Sequence, residues 1–129
     1  MTSPRRVVLV EDDTTVRGVI EILLSTEPDL ELVGSAVTAE EGIELVRLPG
    51  PGLVLLDNQL GGALTGHQAA PTIKDVVPSV AVVRCTALDL ASVAAREPSI
   101  DGYLRKDDLV DLVGVVGVVR SLLDQFGSA

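Results

Sequence analysis

A chain of 129 residues is one ordinary domain, long enough to close a single hydrophobic core and too short for two. It is 47% hydrophobic but only 2% aromatic, so that core has to be built from Val, Leu, Ile and Ala. Lys and Arg number 10 against 19 Asp and Glu, and the resulting net charge of −9 repels phosphate backbones and anionic headgroups, which argues against direct binding to nucleic acid or membrane.

The first element expected is a strand over Val7-Val8-Leu9-Val10, which runs into Glu11-Asp12-Asp13. A helix follows, with Val16, Val19, Ile20, Leu23 and Leu24 on one face. Leu30 to Ala36 reads as a second strand, and Thr38-Ala39-Glu40-Glu41 as a capping box opening a helix that turns Ile43 and Val46 to the core. The breakers Pro49-Gly50-Pro51-Gly52 precede a third strand, Leu53 to Leu56, and an irregular loop from Asn58 to Leu64. A helix begins near Thr65 or Gly66, where Pro71 implies either a kink or a start delayed to Ala70. Val80 to Cys85 makes a fourth strand, Asp89 to Arg96 a short helix, and Gly102 to Arg105 a fifth strand, after which Asp107 or Asp108 caps the last helix. Strands alternating with helices imply a doubly wound α/β domain spanning 1–129, with a five-stranded parallel sheet in flavodoxin-like order 2-1-3-4-5. The single cysteine, Cys85, excludes an internal disulfide and reads as a buried small hydrophobe, and no Cys/His cluster has metal-site spacing. No apolar run approaches the ~20 residues that a membrane span needs, so a cytoplasmic protein is expected.

The stretch LVLLD, Leu53 to Asp57, drives a carboxylate out of the end of a strand that reads as buried on both faces. A lone aspartate there is ordinarily a turn or cap residue. Glu11 and Asp12, however, leave the carboxyl end of the first strand, which neighbours the third at the switch point of such a sheet, where ligands gather. Like charges crowded together oppose one another's ionisation, and a hard divalent cation relieves them, so a Mg²⁺ (or Mn²⁺) site is expected. Thr86 and Lys106 stand at the ends of the fourth and fifth strands, a hydroxyl and an ammonium suited to an anionic phosphoryl oxygen. The plainer reading makes Glu11, Asp12 and Asp13 helix caps, with Asp13 the best placed of the three.

With LVEDD, LVLLD, CTA and GYLRK in this order, the chain resembles the receiver domain of bacterial two-component response regulators over nearly its whole length. The resemblance implies that Asp57 is the phosphoacceptor of a phosphorelay and that Glu11, Asp12 and Asp57, with the backbone carbonyl of Gln59, hold the metal. It makes Lys106 the phosphoryl-binding lysine and Thr86 and Tyr103 the coupled switch residues. It implies a sensor histidine kinase or phosphotransfer protein as partner, and no enzymatic turnover beyond the domain's own phosphorylation and dephosphorylation. Two departures stand out: the loop Gln59 to Gly66 lacks the proline usual after the phosphoacceptor, and Lys106 is followed by Asp107 instead of proline. The second resembles receivers that precede helix-turn-helix output domains, so either a stand-alone receiver or a piece of a longer regulator fits.

Two other classes compete. Phosphohydrolases resembling the haloacid dehalogenases carry DxD at the nucleophile, whereas this chain has Asp57-Asn58-Gln59. A degenerate receiver would bind partners unphosphorylated, and a nucleotide-binding flavodoxin-like domain lacks support because no glycine-rich turn follows the first strand. His67, at a helix start, reads as an ordinary exposed polar residue. Finally, Leu109 to Arg120 is apolar nearly all round and contains Gly114 and Gly117, so a homodimer through the last helix is expected.

Overall fold

The computed structural model describes residues 5–48, 51–57, 60, 64–86, 99–105, 117, 121 and 124, with 67, 86 and 102–105 described by their backbone. In chain order the elements are β1 (Arg5–Val10), α1 (Thr14–Ser25), β2 (Leu30–Ala36), α2 (Ala39–Val46), β3 (Pro51–Asp57), α3 (Gly66–Val76), β4 (Ala81–Thr86) and β5 (Gly102–Arg105). The strands are parallel; β2-β1-β3-β4 form the body of the sheet and β5 pairs along β4, with Val83 opposite Gly102 and Thr86 opposite Arg105. The expected helices over Asp89 to Arg96 and after Asp107, with Val116 and Val119, lie outside the described residues. Among those that are described, no helix is long and apolar enough to cross a membrane.

Strand parity builds two cores, one on each face of the sheet. Val7, Leu9, Leu53, Leu55, Ala81, Val83 and Cys85 face α1, which supplies Ile20, Leu23 and Leu24. Val8, Val10, Val54, Leu56, Val80 and Val82 face α2 and α3, which supply Ala39, Val46, Ala69, Ala70 and Ile73. This double burial is why β1 and β3 read as unbroken apolar runs. Cys85 is a buried thiol within the α1 core, as expected.

Several expectations are corrected. Val19 is 39% exposed, because at about 100° per residue it lies on the flank of the stripe centred on Ile20, Leu23 and Leu24. The third strand starts at Pro51 and not at Leu53: Pro51 pairs with Arg6, and a proline is tolerated at a strand's first residue, where its missing donor costs least. Likewise β1 reaches back to Arg5, whose backbone N–H donates to Asp29 O at 2.9 Å, and β4 runs from Ala81 to Thr86. At Thr38 one arm of the expected capping box is present, the hydroxyl accepting from Glu41 N at 3.2 Å. The complete box stands at Thr65, whose Oγ1 accepts from Gln68 N at 3.1 Å while Gln68 Oε1 accepts from Thr65 N at 2.9 Å. That box starts α3 at Gly66 with Pro71 inside it, and the delayed start at Ala70 does not occur.

Close packing and one polar clamp fix the helices on the sheet. A Cβ on Gly42 would stand 2.5 Å from Val10 Cγ2, so α2 lies on β1 at a distance only glycine allows. At the amino ends of β4 and β5, Lys74 Nζ reaches Asp101 Oδ2 at 2.6 Å and Val80 O at 2.7 Å. Asp101 Oδ2 also accepts from Val82 N at 2.9 Å. At the same pole, Arg5 Nη1 meets the carboxylate of Asp124.

Candidate functional site

The register of the sheet places the acids. Val10 lies opposite Leu56, so the next residues, Glu11 after β1 and Asp57 at the end of β3, leave neighbouring strands at the same level. Asp57 in turn lies opposite Cys85, one residue before Thr86. Carboxylate oxygens of Glu11, Asp12 and Asp57 stand within 4.8 Å of one another. Glu11 is 1% exposed and Asp57 4%, whereas Asp12 is exposed at the rim. Two buried carboxylates and one exposed at the rim are thus set side by side by the ends of β1 and β3.

The cap reading of these acids separates cleanly. Asp13 caps α1: its Oδ1 accepts from Thr15 N at 2.9 Å and from Val16 N at 3.0 Å. Neither Glu11 nor Asp12 serves that cap. Glu11 instead turns inward, its backbone N–H donating to Ala36 O at 2.9 Å and its Oε2 accepting from Asp13 N at 3.1 Å. Arg17, which the motif reading passed over, donates from Nη1 to Glu11 O at 3.2 Å. Its signal in the sequence is a cation six residues beyond the first acid, where the opening turns of the helix return it to the strand end.

The donor set fits a hard cation. Oxygens on opposite sides of a Mg²⁺ ion lie about 4.2 Å apart, from two bonds of about 2.1 Å. A carboxylate trio spanning 4.8 Å closes on such an ion with small rotations, and exposed Asp12 is able to make them. Three carboxylates alone do not fill an octahedron, leaving positions for water or a phosphoryl oxygen.

Of the remaining candidates, Thr86 ends β4 and Tyr103 lies in β5, opposite Arg84, both placed here by their backbones. Gln59 and Lys106 lie outside the described residues. The structure therefore brings together Glu11, Asp12 and Asp57 and sets the Thr86 backbone at the adjacent strand end.

A flavodoxin-like parallel sheet with an acid trio at the carboxyl ends of its central strands is the arrangement that the receiver resemblance implies. The family model described as the response regulator receiver domain matches residues 7–116, and the chain belongs to that family. It is 31% identical over 106 residues to the nitrate/nitrite response regulator protein NarL of Escherichia coli, covering 81% of this chain and 49% of that protein. To the transcriptional regulatory protein DesR of Bacillus subtilis it is 28% identical over 99 residues, 77% of this chain and 49% of the relative. The chain thus spans about half the length of these curated relatives. Among solved structures, a LuxR-family two-component response regulator from Aurantimonas superposes with a TM-score of 0.77 at 26% identity, over 91% of this chain and 85% of that one. The response regulator domain of Thermotoga maritima CheB superposes with a TM-score of 0.82 over 94% and 97% of the two chains; at 19% identity it speaks for the fold alone.

Proposed function

We propose that the chain is the phosphoacceptor switch of a two-component phosphorelay, with Asp57 receiving the phosphoryl group. The observation that carries this reading is the meeting of Glu11, Asp12 and Asp57 within 4.8 Å at two adjacent strand ends, in a chain of the receiver family. An Asp57 carboxylate oxygen attacks the phosphorus of a phosphohistidine or a small phosphoryl donor. The bond to the donor breaks, its electron pair leaves with the donor, and an acyl phosphate remains. In-line transfer of this kind depends on positioning and charge neutralisation more than on a base. Glu11, Asp12, Asp57 and the Gln59 carbonyl would hold Mg²⁺ or Mn²⁺, which would supply part of that neutralisation, and Lys106 would supply the rest.

Phosphorylation draws the Thr86 hydroxyl toward a new anionic oxygen and lets the Tyr103 ring turn inward, so that a local charge becomes a change of surface. Helices after β4 and β5 complete a single (βα)5 domain over 1–129, the fourth of them short, and a second copy docks on the last helix. The partner is a sensor histidine kinase or a phosphotransfer protein, which places the domain in the cytoplasm. The relatives named for nitrate/nitrite response and transcriptional regulation favour gene control as the output.

Incubation with a small acyl- or amido-phosphate and Mg²⁺, followed by intact-mass measurement, tests the proposal. One added phosphoryl group is expected in the parent chain, and none in Asp57→Ala or with chelator present. An unmodified parent chain would favour a receiver that works as a constitutive binding module.

A further inference from the structure

The geometry points to Arg17 as a positioning residue for the cation pocket, an inference that rests on the metal-site reading above. Five hydrogen bonds enclose the turn from β1 to α1. Glu11 N donates to Ala36 O, which extends the β1–β2 ladder one residue past the strand, and Asp13 N donates to Glu11 Oε2. Asp13 Oδ1 takes the N–H groups of Thr15 and Val16, and Arg17 N donates to Asp13 O at 2.9 Å. These bonds leave one backbone acceptor between the two metal-facing acids, the carbonyl of Glu11, and Arg17 Nη1 takes it at 3.2 Å.

That carbonyl belongs to the peptide plane joining Glu11 to Asp12. Two soft dihedrals meet in the plane, ψ of Glu11 and φ of Asp12, and they aim the two carboxylates relative to each other. Glu11 is fixed by burial at 1% exposure, but Asp12 lies at the rim and takes its direction from the backbone. Tethering the carbonyl to a guanidinium on the second turn of α1 holds Asp12 toward Asp57. Without the tether the carbonyl turns to water, the plane rocks, and the exposed carboxylate samples orientations that cannot share an ion with the two buried ones. Partners that orient metal ligands are worth about 10–100-fold in affinity, and a bond of 3.2 Å, at the long end of the normal range, belongs near the lower figure.

The sign of the effect separates positioning from charge. Arg17 is a cation beside a cation site, so as a mere charge it opposes metal binding, and its removal would tighten the site. As a positioning residue its removal weakens the site. The experiment titrates Mn²⁺ into the full chain, reading free Mn²⁺ by electron paramagnetic resonance, for the parent, Arg17→Met and Arg17→Lys. Thermal unfolding of each without metal checks that it is folded. The expected result is a Kd raised about tenfold in Arg17→Met and largely restored in Arg17→Lys, which keeps a donor of similar reach. In the phosphorylation assay, the Mg²⁺ concentration at half-maximal rate rises by the same factor in Arg17→Met, while the rate at saturating Mg²⁺ is unchanged. An unchanged or lowered Kd in Arg17→Met overturns the inference and leaves the metal site standing. A parent chain that binds no Mn²⁺ overturns the metal-site reading itself, and this inference with it.

Discussion

Replacing Lys74 with Met removes the ammonium that joins α3 to the amino ends of β4 and β5 while keeping most of the apolar stem. The bonds lost include one of 2.6 Å to Asp101 Oδ2 and one of 2.7 Å to Val80 O. Asp101, whose side chain is 12% exposed, then keeps only the 2.9 Å bond from Val82 N to offset the burial of its charge. Removing one partner of a buried ion pair costs roughly 3–5 kcal/mol. The Lys74 side chain is 22% exposed, so water reaches the vacated position, and a loss of about 2–3 kcal/mol is expected. At about 2.1 cal/mol/K per residue, the 129-residue chain has an unfolding entropy near 0.27 kcal/mol/K, which converts that loss to a Tm lowered by about 7–11 °C. Circular dichroism melts of the parent and Lys74→Met measure it directly. Lys74→Met/Asp101→Leu should recover only part of the loss, since Val82 N then has no acceptor in place of Asp101. Asp57 phosphorylation, at the opposite pole of the sheet, should reach the same extent in Lys74→Met. A Tm within about 2 °C of the parent would refute the clamp.

The same substitution should have opposite signs at two helical glycines. Gly42→Ala meets Val10 Cγ2 at 2.5 Å, and overpacking of about 1–3 kcal/mol outweighs about 1 kcal/mol of helix propensity. Gly18→Ala meets nothing within 4 Å and should stabilise by about 0.5–1 kcal/mol; urea unfolding distinguishes the two, and equal signs would discredit the close approach of α2 to β1. Arg84 is 7% exposed and its Nε has no hydrogen-bond partner among the described residues, so Arg84→Met should be neutral or stabilising by about 1 kcal/mol. A loss above about 2 kcal/mol in the same assay would show that the guanidinium has a strong partner.

Much of the architecture is legible in the chain because its signals are local. Val7 to Val10 and Leu53 to Leu56 are short apolar runs closed by acids, and burial between two helical layers demands just such a run. Asp13 as the cap of α1 is equally local, since the bonds it accepts span two and three residues. Extent is harder to read than existence. Pro51 and Gly52 carry the signature of a breaker, yet both are buried in β3: Pro51 pairs with Arg6, and Gly52 is the extra residue at the register shift before Leu53 pairs with Val7. The Thr65–Gln68 box is as local a signal as the pattern at Thr38, and it starts a helix that bears the cost of Pro71.

The site is legible only as a set of strand-end residues in the right order. That Glu11 and Asp57 share a level depends on the register of β1 against β3, a relation between segments more than forty residues apart that no local pattern encodes. Burial then divides acids that look alike in the sequence: Glu11 turns under the sheet end, Asp12 stays at the rim and Asp13 caps the helix. The tether from Arg17 to Glu11 O, the clamp of Lys74 on Asp101 and the contact of Gly42 with Val10 are of the same kind. Each is set by how closely a helix lies on the sheet, a distance that residue types constrain but that only the packed layers fix.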